Sequence, residues 1–310
     1  MPEKRLRILV TGGAGLLGLN WAAAMRDRHE VWLGVHRRDV ALRGAQAVRV
    51  PLEDAAALAQ QLAGIRPDVI VHAAGLTNVD ACEADPGAAH AANAALAATV
   101  AQAAQACGAR LVHISTDHLF SGERACVAEE EPPQPVNAYA RSKLAAERLV
   151  AERCPQALIV RTNFFGWGHA ARQSFSDWVL EALRAGRRLR MFTDAFFTPI
   201  LATRLALAVH RLLEAGATGL LHVCGDERVS KHEFGVRLAA AFGLSADLID
   251  PARLAGAGLA APRPLDLSLS NARARGILGG ALGGLDEQLA ELRAQEAAGL
   301  SRELRRAITG

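Results

Sequence analysis

The sequence lacks several features that would place it quickly. It has no uninterrupted apolar run long enough to cross a bilayer, because even its alanine-rich stretches are broken by Gln, Asn, Asp, Arg or His. No membrane partner is expected. Its formal charge is +3 over 310 residues, with the basic residues scattered, which argues against a nucleic-acid partner and leaves room for a small polyanion. The five cysteines, Cys82, Cys107, Cys126, Cys154 and Cys224, are odd in number and far apart, with no metal-ligand spacing. That predicts buried thiols in a reducing compartment and no metal. The charged start, Met1 to Arg7, runs into an apolar strand with neither the apolar core nor the cleavage site of a signal peptide, so a cytoplasmic location is expected. Tyrosine is all but missing, and Tyr139 is the single copy.

Apolar residues, at 51% of the chain, suffice for one large α/β domain or two closely associated ones. Short β-branched runs alternate with longer Ala/Leu-rich stretches, which predicts a doubly wound parallel sheet of the Rossmann type with helices on both faces. Strands are expected at 7–10, 31–35, 47–50, 69–72, 110–114 and 158–161, and helices at 16–28, 54–63, 87–107 and 137–153. After Arg161 the rhythm breaks at Phe164-Phe165-Gly166-Trp167-Gly168. A helix at 201–214 and a strand at 219–223 then read as the last unit of the sheet. The expected division is therefore 1–163 with 199–225 as a dinucleotide-binding domain, and 164–198 with 226–310 as a smaller C-terminal α/β substrate region. Phe165, Trp167, Phe196 and Phe197 read mainly as core between the two, with stacking on a base as the alternative.

The strand ending at Val10 leads into Thr11-Gly12-Gly13-Ala14-Gly15-Leu16-Leu17-Gly18 and a helix. Gly12, Gly15 and Gly18 form a G-x-x-G-x-x-G fingerprint that lets a pyrophosphate approach the helix N-terminus, beside Leu16 and Leu17. An NAD-binding unit usually places an acid at the end of the second strand to hold the ribose 2′-hydroxyl. His36-Arg37-Arg38 stands there instead, and guanidinium groups suit a 2′-phosphate, so NADPH is favoured with NADH as the alternative.

Ser115-Thr116-Asp117 follows the strand ending at Ile114, at the carboxyl edge of the sheet where open α/β folds bind ligands. Tyr139 and Lys143 stand four residues apart, hence on one face of a helix. A fixed positive charge near a phenol of ordinary pKa near 10 lowers that pKa. About 3–4 kcal/mol of differential stabilisation, shared between the lysine and an oxidised nicotinamide, would bring it toward neutrality.

With these residues the sequence resembles the extended short-chain dehydrogenase/reductases, and is most similar to the dTDP-4-dehydrorhamnose reductase group. The resemblance rests on Thr11 to Gly18, His72-Ala73-Ala74, Thr77-Asn78-Val79-Asp80 and Ser115 to Gly122. Further along it rests on Tyr139 to Lys143 with Glu147, Arg161-Thr162-Asn163, Gly219 to Val223 and Arg263-Pro264. It implies reduction of a 4-keto group on a nucleotide-linked deoxysugar, with Tyr139 donating the proton, Lys143 binding the nicotinamide ribose and Thr116 bonding the substrate oxygen. It also puts Leu52, Ala73 and Ala74 along the cofactor, and Thr77, Asp80, Asp117, His118, Asn163 and Arg263 toward the substrate.

All of these substrate-side residues but Asn163 also have a plainer role. Thr77 and Asp80 suit a cap of the next helix, Asp117 can bond loop N–H groups, His118 can be a satisfied loop histidine, and Arg263 can sit in a surface ion pair. The loop Pro51-Leu52-Glu53-Asp54 departs from the group's Asp-Leu-x-Asp pattern, with Pro51 where the resemblance implies an aspartate against the adenine. His118 stands where related 4,6-dehydratases carry a glutamate base, so elimination lacks its base. Alternatives are an epimerase that recycles its hydride and a non-catalytic NADP-binding subunit resembling the methionine adenosyltransferase β subunit. A homodimer stays open.

Overall fold

The apolar runs Val69–His72 and Leu158–Arg161 are buried at every position, as parallel strands covered on both faces must be. The computed structural model describes residues 4–169, 171–255 and 258–308, so part of the charged start, Met1 to Glu3, lies outside the described residues. The first six strands are β1 (Arg7–Thr11), β2 (Glu30–Val35), β3 (Ala45–Arg49), β4 (Val69–His72), β5 (Arg110–Ile114) and β6 (Leu158–Arg161). With Gly219–His222 they make one sheet in the order Gly219–His222, β6, β5, β4, β1, β2, β3. All its pairings are parallel. The expected doubly wound fold is what forms, and the order reverses between β1 and β4, where such folds open a crevice.

Alternate residues of each strand feed opposite faces. Leu9, Ile70, Leu111 and Ile159 join one core cluster, while Val10, Val71, Val112 and Val160 join the other. Helix α1 (Leu16–Met25) ends at Met25, earlier than the sequence suggested, and α2 (Ala55–Ile65) starts behind Asp54. The expected helix at 87–107 begins earlier and is divided. It comprises α3 (Val79–Ala84), α4 (Pro86–His90), a π turn (Ala91–Ala95) and α5 (Leu96–Cys107). The π turn carries the buried Asn93, whose amide oxygen accepts from the Leu76 N–H and whose Nδ2 donates to Ser142 Oγ at 2.9 Å. Such bulges commonly accompany functional sites.

Helix α6 (Ala138–Arg153) is capped by Asn137, whose Oδ1 accepts from the Ala140 N–H. Beyond β6, α7 (Phe175–Arg184) opens with a Ser174/Asp177 capping box. Helix α8 (Ala202–Glu214) contributes Leu205, Val209 and Leu212 to the same cluster as Trp21 of α1, and α9 (Lys231–Ala241) follows the edge strand. Phe165, Trp167 and Phe197 are fully buried, so the core reading is right for them. Phe196 is only half-buried and lies beneath the Arg228 guanidinium. The expectation of buried thiols needs correcting: Cys82, Cys154 and Cys224 are buried, but Cys107 and Cys126 are exposed.

Candidate active site

Parallel register places the ends of β1, β2, β4 and β5 side by side. Thr11 pairs with Gly34 and with His72, and His72 with His113. The glycine loop leaves this edge. Gly12 has φ +71, and a Cβ there would come within 2.8 Å of the Ala74 nitrogen, so Gly12 packs directly on the Ala73-Ala74 backbone. A Cβ on Gly18 would lie 2.7 Å from the Gly12 oxygen, which is why α1 can sit against the loop. Gly15 is the N-cap of α1 without a side-chain cap, and no acid stands in the first turn beside Leu16 and Leu17. The helix N-terminus thus keeps donors and positive potential for an anion.

Gly13, which spacing alone did not single out, donates its N–H to the Gly34 oxygen at 2.9 Å and ties the loop to the end of β2. Arg37 and Arg38 follow that end. They are exposed and have no hydrogen bond or ion pair among the described residues. Cradle, helix terminus and two unspent guanidiniums together fit a dinucleotide carrying an extra phosphate. In the loop after β3, Leu52 is half-buried. Asp54 is the cap of α2 there, accepting from the Ala56 and Ala57 N–H groups.

Thr116, Tyr139 and Lys143 come together at the ends of β5 and α6, all buried. Lys143 Nζ donates to the Ile114 carbonyl at 2.7 Å, and burial takes its ammonium down to about 8. Burial pushes the Tyr139 phenol up to about 12, against the hydrogen bond of the Thr116 hydroxyl. The expected lowering toward neutrality therefore does not come from the protein's own groups, because desolvation of a phenolate outweighs them. Thr116 Oγ1 donates to Asp117 Oδ1 at 3.2 Å and accepts from the His118 N–H at 3.3 Å. Asn163 Nδ2 donates to Asp117 Oδ2 at 2.6 Å. Asp117 is thus held by two side chains, and no loop N–H bonds it among the described residues, contrary to its plainer role.

His118 is not a satisfied loop histidine either. Its ring meets Tyr139 edge-on at 5.6 Å, its Nε2 is 4.0 Å from Asp117 Oδ1, and its buried Nδ1 has no hydrogen-bond partner among the described residues. Burial lowers its pKa, so the neutral imidazole is favoured. Beneath this layer Glu147 accepts from Ser115 Oγ at 2.5 Å and from Arg161 at 2.9 and 2.8 Å. That buried fork joins α6 to the ends of β5 and β6. Behind it His72, whose Nδ1 meets Thr11 Oγ1 at 2.7 Å, stacks on His113 at 5.5 Å. Burial takes His72 down to about 3 and His113 well below its ordinary value.

Residues 6–297 match the family described as RmlD substrate binding domain. The chain belongs to this family. The low-salt glycan biosynthesis reductase Agl14 of Haloferax volcanii, itself named as probable, is 31% identical over 92% of this chain and 96% of the relative. A dTDP-4-dehydrorhamnose reductase of Burkholderia thailandensis is 31% identical over 86% and 91%. A solved structure called a hypothetical dTDP-4-dehydrorhamnose reductase, from Sulfolobus tokodaii, superposes with TM-score 0.79 at 33% identity, covering 91% of this chain and 98% of that one. The fold and the oxidoreductase kind expected from the sequence agree with these likenesses.

The capping role open to Thr77 and Asp80 is not the one they take. Neither Thr77 nor Asp80 caps α3; Asn78 does, accepting from the Ala81 N–H at 2.9 Å. Thr77 Oγ1 accepts instead from Arg172, a residue with no spacing signal in the sequence. Asp80 Oδ1 accepts from the Ala261 N–H and pairs with Arg263 at 3.0 Å, which brings two expected substrate residues onto each other. The loop carrying Arg263 is tied to the segments before α6 and after β5, since Asn137 Nδ2 donates to the Pro262 oxygen and Gly122 packs on Pro264.

Proposed function

We propose that the chain reduces the 4-keto group of a nucleotide-linked deoxysugar with NADPH, as the names of its relatives suggest. The observation that carries this reading is a buried phenol on Tyr139, standing one helical turn from Lys143, with the buried Thr116 at the end of the neighbouring strand β5. Held near 12, that phenol is protonated at neutral pH. It is thus an acid, the form that a carbonyl reduction uses. NADPH, when bound, supplies the hydride to the carbonyl carbon. Tyr139 holds the proton for the developing alkoxide, and Thr116 and Asp117 keep a polar chain behind it.

In the same reading Gly12, Gly15, Leu16, Leu17 and Gly18 hold the pyrophosphate and Arg37 with Arg38 the 2′-phosphate. Leu52, Ala73 and Ala74 flank the cofactor, and Lys143 binds its nicotinamide ribose. Asp117, His118 and Asn163 face the sugar, with Thr77, Asp80 and Arg263 at the entrance. Residues 1–163 with 199–225 form the cofactor domain, and 164–198 with 226–310 the substrate region.

The test supplies the protein with NADPH and a dTDP-linked 4-keto-6-deoxysugar. One NADPH should be consumed per hydroxyl formed, and deuterium from 4-deuterated NADPH should arrive at the sugar C4. Conversion without net NADPH loss would mean epimerisation, and no conversion with any such sugar would overturn the reductase reading.

A further inference from the structure

One cation of the cleft stands apart from the residues above. Lys231 opens α9 behind its cap Ser230, whose Oγ accepts from the Glu233 N–H at 3.0 Å. The short strand Val229–Ser230 pairs antiparallel with Phe196–Phe197, and the Lys231 N–H donates to the Ala195 oxygen at 2.9 Å. Its backbone is therefore pinned on both sides.

The side chain is held as firmly. Its ammonium lies 3.3 Å from the centre of the Phe197 ring and 4.9 Å from that of Phe175. Both rings pack on Phe234, at 5.6 and 5.4 Å. Ring faces attract a cation but accept none of its three N–H donors in the ordinary way. No carboxylate lies within 4 Å of Lys231 and no acceptor bonds its ammonium among the described residues. Arg172 and Arg263, by contrast, are engaged with Thr77 and Asp80.

The segment beneath the ammonium is tied to the site on both sides: the Phe196 N–H donates to the Leu265 oxygen at 2.7 Å, two residues from Arg263, and the Ile200 N–H donates to the oxygen of Asn163, whose side chain holds Asp117. Asp117 acts on Lys231, and Lys231 in turn acts on His118. Asp117 is already bonded by Thr116 and Asn163. The side chain is half-buried, and desolvation brings the ammonium down to about 8. Its donors, bonded to no acceptor among the described residues, are available to oxygen from a ligand.

We propose that Lys231 is a sugar-recognising residue, whose ammonium donates to an oxygen substituent of the sugar ring beside the carbonyl being reduced. The inference rests on the reductase reading. In a 4-keto sugar the diphosphate hangs from C1, at the far end of the ring from the carbonyl, while Lys231 acts on the two residues that directly follow Thr116. The sugar's own oxygens are therefore its partners, and the phosphates are left to the entrance.

Lys231→Met keeps an aliphatic stem on the two rings, and Lys231→Arg keeps the charge. With wild type and both variants, kcat/KM is measured on the dTDP-linked 4-keto-6-deoxysugar, and the affinities for dTDP alone and for NADPH are titrated. Loss of one charged hydrogen bond should lower kcat/KM of Lys231→Met about 10- to 100-fold, with both affinities within about twofold of wild type. Lys231→Arg should recover most of the loss. Unchanged kcat/KM in Lys231→Met overturns the proposal. So does an equal loss of dTDP affinity, which would make Lys231 a phosphate ligand, or of NADPH affinity, which would make it structural. A wild-type protein that reduces no such sugar fails at the first step, and overturns the reductase reading together with this inference.

Discussion

Replacing Lys143 by methionine should make the protein more stable at neutral pH while abolishing its turnover. The ammonium is fully buried beside the Ile114 carbonyl and falls from an ordinary 10.5 to about 8. That fall corresponds to about 3 kcal/mol by which the folded state penalises the charged form. The sign follows from proton counting. Between pH 8 and 10.5 the unfolded chain binds more protons at this lysine than the folded one, so stability rises with pH across that window. Below pH 8 the penalty is complete, and above 10.5 it is gone. Methionine removes the charge but also the bond to the Ile114 oxygen, worth about 1 kcal/mol, which leaves roughly 2 kcal/mol in favour of the variant at pH 7. In a chain of this size that is a rise in melting temperature of about 3 °C. By pH 9.5 the penalty on wild type should have shrunk by about 2 kcal/mol, so the two melting curves should converge. The assay is thermal unfolding of both proteins from pH 6.5 to 9.5, with turnover measured alongside. A variant that melts below wild type at pH 7, or a gap that stays constant over that range, would refute the argument that this lysine is held at the expense of stability.

Three further outcomes are expected. Glu147→Ala leaves Arg161 charged, 3% exposed and without its fork, so calorimetry should show a loss of about 3–5 kcal/mol; a loss under about 1 kcal/mol would mean that water repairs the site. Arg37→Ala with Arg38→Ala should weaken NADPH far more than NADH in fluorescence titrations, since only NADPH carries the extra phosphate; equal losses would remove the assignment. Tyr139→Phe should cut kcat by about a hundredfold or more while NADPH affinity holds, because the ring still packs but the proton donor is gone; turnover within a few-fold of wild type would dismiss Tyr139 as the acid.

Read alone, the amino-acid order yielded the sheet, the glycine loop and the pairing of Tyr139 with Lys143. Each depends on short-range spacing: apolar runs of four to six residues for strands, three glycines within a single turn-helix unit, and an i, i+4 pair on one helical face. What it could not supply were relations between distant segments. The division of the helix at 87–107 by a π turn depends on Asn93 reaching Leu76 and Ser142. The pairing of Asp80 with Arg263, and the settling of Lys231 over Phe197, each join residues with no shared periodicity. The same limit applies to the Tyr139 phenol, whose expected lowering was shared between Lys143 and an oxidised nicotinamide, while burial among the protein's own groups raises it. Burial is a property of the packed chain. Only the tertiary structure could decide that desolvation outweighs the protein's own charges, leaving the phenol an acid.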